Sequence, residues 1–335
     1  MRRPTKLPSG VKTMPKPEPW RVLALSGGGY RGLFSAEVLA RLECAIGPTF
    51  MAGVRLFAGT SVGGLVAAGL AIGRSPAAMR DAILEHGPAI FDDRIKVGRM
   101  TIARKPKGHL GGLLKSKFKA KALEAAIDAI LGGDKELRVA DVPRPLVLVA
   151  TCATSMAPFL MSSLRPGTPG ADLPLRVALR ATAAAPGYFP AVDLNLRTLV
   201  DGGLVANAPE LVGCAELAAL RGVEQPDFRI LSIGTAAPDA GAAPSLIGRR
   251  GLAAWLKGDL VPMTLDAQEK LVTAQAAALF GRNYLRVNAT PAPAQGEVLA
   301  LDLATEEATR TLLFLAEEAT APSAVDATRE LFGLR

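Results

Sequence analysis

Three consecutive glycines, Gly27-Gly28-Gly29, stand between an apolar β-type run, Arg21–Leu25, and a helical stretch from Gly32 to Ile46. A strand that turns this sharply into a helix is the opening of a strand–helix–strand crossover, and crossovers of that kind build parallel sheets. The rest of the chain keeps the alternation. Strands are expected at Val54–Phe57, Leu146–Thr151, Pro158–Ser162, Thr198–Val200, Phe228–Ile233 and Tyr284–Val287. Helices are expected at Val62–Ile72, Pro76–His86, Lys117–Leu131, Leu175–Ala184, Pro209–Arg221, about 246–280, and Thr305–Glu318. The pattern predicts an α/β protein with a mainly parallel sheet covered by helices on both faces.

Composition supports one substantial core. Of 335 residues, 49% are hydrophobic, which excludes intrinsic disorder. Three cysteines (Cys44, Cys152, Cys214) without Cys-x-x-Cys spacing argue against a disulfide framework and a cysteine zinc site, and suit a reducing compartment. With two histidines, His86 and His109, histidine metal chemistry is not expected either, and no cofactor is called for. Residues 1–19 read as a flexible, basic, proline-rich tail without a signal-peptide apolar run. Residues 20–335 read as a single domain with a cationic insertion at 92–121 and a helical C-terminal part at 245–335. No stretch is long and apolar enough to span a bilayer, so a cytoplasmic protein that meets membranes at their surface is expected.

The formal charge of +8 is uneven. Residues 1–21 carry six bases and one acid, and residues 94–121 carry ten bases and no acid, so the remaining body is net −7. A basic segment on an acidic body suggests a local anionic partner rather than a general one.

The literal spacing of Gly27, Gly29 and Gly32 is Gly-x-Gly-x-x-Gly, a dinucleotide fingerprint. The acid that the fingerprint places at the end of the second strand is missing from Phe57-Ala-Gly-Thr60. Bare glycine amides at a helix start suit an oxyanion as well as a pyrophosphate. Gly59-Thr60-Ser61-Val62-Gly63 then offers a nucleophile. It lies between a strand and an apolar helix, where a sharp turn would expose the Ser61 hydroxyl and Gly59 and Gly63 would avoid clashes. The Val62 amide at the helix start could add an oxyanion donor. No late histidine can serve as base: His86 is expected at a helix end before Gly87-Pro88, and His109 lies in the cationic segment. Asp201, in Thr198-Leu-Val-Asp-Gly-Gly203, follows a strand and precedes two glycines. Alone, it reads better as an ordinary Asp-Gly turn.

Gly-Gly-Gly-Tyr-Arg-Gly (27–32), Gly-Thr-Ser-Val-Gly (59–63) and Asp-Gly-Gly (201–203), in this order, resemble the patatin-like phospholipase family. So does Ala181-Thr-Ala-Ala-Ala-Pro-Gly-Tyr-Phe-Pro190, and the likeness covers about residues 20–235. The resemblance implies a three-layer α/β/α fold and acyl-ester hydrolysis by a Ser–Asp dyad without histidine. Ser61 would be the nucleophile and Asp201 the base. The amides around Gly28 and Gly29 would form the oxyanion hole with Arg31 beside it, while Gly27, Gly32, Gly59, Gly63, Gly202, Gly203 and Asn207 would shape the motifs. Two departures stand out: Ser26 replaces the Asp common before the glycines, and Asn207-Ala-Pro209 keeps only the first Asn of the usual Asn-Asn-Pro.

The cationic segment (Arg94, Lys96, Arg99, Arg104, Lys105, Lys107, Lys115, Lys117, Lys119, Lys121) suits a phospholipid membrane surface or a phosphate-bearing regulator. The aromatics that single-strand nucleic acid binding wants are absent apart from Phe118, so nucleic acid is not expected. The stretch from Trp255 through Phe280 to Asn288 resembles the bacterial patatin-like effectors of antiphage defence. That likeness implies a cyclic di- or trinucleotide activator, attack on the cell's own inner membrane, and a homo-oligomer, dimer or higher, when activated. The competing reading is a non-enzymatic nucleotide- or lipid-binding protein on the same scaffold.

Overall fold

The computed structural model describes residues 18–92, 94–97, 100–103, 118, 120–220, 227–238 and 260–334. Its strands are β1 (Trp20–Leu25), β2 (Leu56–Thr60), β3 (Arg94–Val97), β4 (Met100–Ala103), β5 (Leu146–Cys152), β6 (Ala157–Ser162), β7 (Val192–Leu194), β8 (Arg197–Asp201), β9 (Phe228–Ile233) and β10 (Tyr284–Val287). The helices are α1 (Gly32–Ile46), α2 (Thr49–Gly53), α3 (Val62–Ala71), α4 (Pro76–Ile90), α5 (Ala120–Leu131), α6 (Leu175–Thr182), α7 (Gly203–Ala206) and α8 (Glu210–Ala218). They continue as α9 (Leu260–Phe280), α10 (Pro293–Gly296), α11 (Glu306–Ala319) and α12 (Pro322–Phe332).

The main sheet runs β10-β9-β1-β2-β5-β8-β7, with β6 on the other edge of β5. β10, β9, β1, β2 and β5 are parallel; β6 and β8 run antiparallel to β5, and β7 antiparallel to β8. Val22, Leu23, Ala24 and Leu25 are all fully buried, as a parallel strand covered on both faces requires. Alternation divides them between two cores. Leu23, Leu25, Phe57 and Leu148 pack beneath α1, α3 and α5, whereas Val22, Leu56, Ala58 and Val147 pack with Cys214 and Leu217 of α8. The result is a three-layer α/β/α arrangement, as the resemblance implies.

Several expectations are corrected. His86 does not end its helix: α4 continues through Pro88 to Ile90. Gly87 lets it, because a Cβ there would lie 2.3 Å from the Tyr30 ring, and the last turn packs on that ring. The cationic insertion, for which no strand was expected, contains the antiparallel pair β3–β4, with Arg94 and Lys96 on β3. Arg99, Arg104, Lys105, Lys107, His109, Lys115, Lys117 and Lys119 lie outside the described residues, as do the tail to residue 17 and residues 239–259. Of the long helix expected over 246–280, the described part is α9. No helix among the described residues is long and apolar enough to cross a membrane.

Candidate active site

One edge of β5 carries two strands end to end. β2 pairs along its first half, up to Thr60 opposite Val149. β8 arrives from the opposite direction and ends with Asp201 opposite Ala150. The residue after β2 and the last residue of β8 are therefore neighbours in space. Ser61 and Asp201 occupy those two positions.

Ser61 has φ 55° and ψ −127°, a backbone conformation that costs a non-glycine residue about 1–3 kcal/mol. The crowding beneath it shows why the turn needs glycine on both sides. A Cβ on Gly59 would lie 2.4 Å from the Gly63 carbonyl oxygen, and one on Gly63 would lie 2.3 Å from that of Leu25. The Ser61 amide donates to Thr182 Oγ1 at 3.0 Å, which ties the turn to the end of α6. Thr182 belongs to the Ala-rich run 181–190, a signal the sequence carried without indicating this role.

Asp201 is buried at 6% exposure. Burial pushes its carboxyl pKa up to about 6, while the Ser61 hydroxyl and the Gly203 amide, the latter at 2.7 Å, favour the charged form. Thr151 Oγ1 donates to the Asp201 carbonyl at 2.9 Å, and the Asp201 amide donates to the Ala184 carbonyl at 3.0 Å. Gly202 lies against the Val149 carbonyl, where a Cβ would come within 2.2 Å. A carboxylate with this pKa, touching a hydroxyl at a strained elbow, can accept that hydroxyl's proton near neutral pH.

In the glycine loop the Gly27 amide donates to the Asn207 carbonyl (3.0 Å), that of Tyr30 to the Leu301 carbonyl (2.8 Å) and that of Arg31 to the Gly28 carbonyl (3.2 Å). Among the described residues this leaves the amides of Gly28 and Gly29 for an anion. Gly32 admits the Val62 side chain, which a Cβ would meet at 2.3 Å, so the loop and the elbow pack directly on each other.

A buried polar chain braces the loop from behind. Asn207 Nδ2 donates to the Gly27 carbonyl (3.3 Å) and to Glu269 Oε2 (2.7 Å). The other Glu269 oxygen pairs with Arg286. Arg286 also donates to Ser26 Oγ (3.0 Å) and Ser232 Oγ (2.6 Å), and lies 3.5 Å from Glu210. The hydroxyl that departs from the family's Asp is therefore one station of an ion network. Glu269 and Arg286 escape sequence reading because they lie on α9 and β10, far along the chain from the motifs they support.

Two cavities adjoin this centre. The first, about 100 Å³, is lined by Gly28, Gly29, Ser61, Asp201 and Asn207 at one end. Its remaining walls are apolar, among them Leu65, Ile83, Phe91, Leu123 and Phe189. The second, about 320 Å³, mixes charged and apolar walls and shares Tyr188, Asn207, Leu265 and Leu301 with the first. Arg31 lines the second cavity and not the first. The structure thus groups Ser61, Asp201, Gly28, Gly29 and Asn207 around one cavity and turns Arg31 into the next.

Residues 23–212 match the patatin-like phospholipase family. The chain is 34% identical over 301 residues to a cGAMP-activated phospholipase of Pseudomonas aeruginosa, covering 88% of this chain and 85% of that protein. It is 31% identical over 295 residues to a cGAMP-activated phospholipase of Vibrio cholerae, covering 80% and 81%. It is 28% identical over 347 residues to patatin-like protein 1 of Oryza sativa, covering 88% and 80%. With the family match spanning more than half of its length, this chain belongs to the patatin-like phospholipases and is a lipid acyl hydrolase.

Proposed function

We propose that the protein cleaves acyl esters of membrane phospholipids through a Ser61–Asp201 dyad, and that a cyclic dinucleotide switches it on. The observation that carries the chemistry is the contact between the Asp201 carboxylate and the Ser61 hydroxyl at the mouth of an apolar cavity. Asp201 takes the Ser61 proton as Oγ attacks the ester carbonyl, and the Gly28 and Gly29 amides receive the oxyanion. Asp201 then protonates the leaving alcohol, and water attacks the acyl-enzyme with Asp201 again as base. A carboxylate is a weak base for an alcohol, so the two amides must supply much of the stabilisation, on the order of 3 kcal/mol per donor.

Support for the switch comes from relatives named for activation by cGAMP and, in Escherichia coli, by cUMP-AMP. The test is release of fatty acid from phospholipid vesicles with and without cyclic GMP–AMP, comparing the native protein with Ser61→Ala. Nucleotide-dependent release that Ser61→Ala abolishes is expected. Release that survives Ser61→Ala would remove the dyad, and release indifferent to every cyclic nucleotide would remove the switch.

A further inference from the structure

A strained backbone such as that of Ser61 persists only where its surroundings over-determine it, so the groups that grip the elbow decide where its hydroxyl points. On the helix side the grip is α3 itself: the Ser61 carbonyl accepts from the Gly64 and Leu65 amides at 2.9 and 3.1 Å. On the strand side it is a side chain from elsewhere in the chain, Thr182, whose Oγ1 accepts from the Ser61 amide at 3.0 Å.

Thr182 is fully buried at the last position of α6, and both its side chain and its backbone are engaged. The hydroxyl that accepts from Ser61 donates to the Val149 carbonyl at 2.5 Å. Both directions are fixed, because an amide N–H only donates and a carbonyl only accepts. The Thr182 carbonyl accepts from the Gly202 amide at 3.4 Å, and Gly202 follows Asp201. Two residues on, the Ala184 carbonyl accepts from the Asp201 amide. The end of α6 therefore holds the backbone at Ser61 and at Asp201 together, and ties both to β5 at the register partner of Thr60. The helix that carries Thr182 is itself anchored on α5: Arg176 donates to Asp128 at 2.6 Å, and Arg180 pairs with Glu124 at 3.5 Å.

We infer that Thr182 is the positioning residue of the dyad: its hydroxyl holds the elbow in the orientation that aims Ser61 Oγ at the Asp201 carboxylate, and its carbonyl holds the turn that follows Asp201. Sheet register brings the two residues alongside, and Thr182 sets the angle between them. Ala183 and Ala185 line the apolar cavity, whereas Thr182 is not among its walls. Its loss is therefore read in turnover rather than in substrate binding. A reacting group misplaced by about 1 Å can cost about a hundredfold in rate. This role rests on the dyad reading above.

The experiment measures p-nitrophenyl butyrate hydrolysis by the native protein, Thr182→Ala, Thr182→Ser and Ser61→Ala. Alanine and serine lack the same methyl and differ by the hydroxyl, so their contrast isolates its two hydrogen bonds. Thr182→Ala is expected to lower kcat about thirtyfold with KM within about twofold, and Thr182→Ser to stay within about threefold of native in both. A pH profile separates geometry from folding. The Ser61 hydroxyl favours the charged form of Asp201, so its misalignment should carry the midpoint of kcat/KM above about 6 in Thr182→Ala and leave it in place in Thr182→Ser. A smaller folded fraction would scale the rate at every pH and leave the midpoint where it was. Where the alanine variant fails to fold, Thr182→Val removes the hydroxyl at nearly native volume and is read the same way. An alanine variant as active as the serine variant, a loss confined to KM, or an unmoved midpoint overturns the proposal. Turnover that survives Ser61→Ala removes the dyad and this role with it. An inactive Ser61→Ala beside a fully active Thr182→Ala faults the positioning role alone.

Discussion

Thr60 and Asp201 face Val149 and Ala150, successive residues on one edge of β5. The distance between Ser61 and Asp201, the proposed nucleophile and base, is therefore set by sheet register, which is strongly specified in a buried sheet. Loops decide only where the Ser61 hydroxyl points. Two side chains held this way act as a unit. Ser61→Ala and Asp201→Asn are each expected to cut ester turnover by roughly four orders of magnitude with near-ultraviolet circular dichroism unchanged. In the native protein kcat/KM should rise with pH through about 6, because the carboxylate is the active form. A flat profile between pH 5 and 8 would remove Asp201 as base.

The same carboxyl weakens the fold. Its pKa is 3.8 in the unfolded chain and about 6 in the native protein, so the native state holds more protons between those values. Stability contributed by this group is present below about pH 4 and is lost as pH rises through about 6, amounting to about 3 kcal/mol at neutrality. Asp201→Asn should therefore resist urea better than the native protein at pH 7.5, and the advantage should fade at pH 4. Equal midpoints at pH 7.5 would show that the buried charge costs nothing.

The parts legible in the sequence are those dictated by close approach. Gly27, Gly59, Gly63 and Gly203 stand where a Cβ would strike the Asn207 side chain, the Gly63 carbonyl, the Leu25 carbonyl and the Leu265 side chain in turn. That is why Ser61 and Asp201 stand out from other serines and aspartates. Long-range polar support left no such trace. Glu269 pairs with an asparagine 62 residues away and with Arg286 on the next strand. Nothing local to either residue requires an ion there. Arg31 was legible as a loop residue but not in direction, since its facing depends on where the helix after Gly29 begins. At His86 the sequence signals a helix end, since Gly87-Pro88 is a common stop, but packing on Tyr30 overrides it.

The glycine loop, the proposed oxyanion site, should tolerate almost no side chain. A Cβ on Gly28 would lie 2.6 Å from Thr235 Oγ1, and Gly29 has φ +58° with the Leu301 carbonyl oxygen 2.0 Å from its Cβ position. Gly29→Ala meets both strain and backbone, so it is expected to lower kcat at least about a hundredfold, the scale of losing one oxyanion donor. Gly28→Ala meets the Thr235 side chain, its Cβ included at 2.7 Å, but neither backbone nor a positive φ, and should lose less. The reverse order in steady-state kinetics would mean that Gly28, rather than Gly29, sets the loop's position.

The ion network behind the loop predicts an asymmetry between two substitutions at one site. Glu269→Ala removes one acceptor each from the Arg286 guanidinium and the Asn207 amide, which keep Ser26, Ser232, Glu210 and the Gly27 carbonyl, and should cost about 1–3 kcal/mol in urea unfolding. Glu269→Gln keeps an acceptor for Asn207 and should cost less. Because Asn207 also holds the Gly27 carbonyl, the glutamine variant should lower kcat more than it raises KM. A pure KM effect would disconnect the network from the oxyanion loop.

Size makes the last prediction. The apolar cavity holds about 100 Å³ between Leu65, Ile83, Phe91, Leu123 and Phe189, below the roughly 300 Å³ at which small-molecule sites begin. A butyryl chain fits such a space with little movement, whereas a long acyl chain needs the aromatic wall to open. Phe91 stands at the centre of that wall, with its ring edge-on to Tyr30, Phe118 and Phe189. The unliganded protein is therefore expected to hydrolyse p-nitrophenyl butyrate but not long-chain phospholipid. Cyclic GMP–AMP should raise long-chain turnover far more than butyrate turnover, and Phe91→Ala should raise long-chain turnover without nucleotide by thinning the wall. Equal basal rates on short and long chains would show the cavity already open. A nucleotide effect of equal size on both substrates would place the switch at the dyad or the oxyanion loop instead of at the acyl cavity.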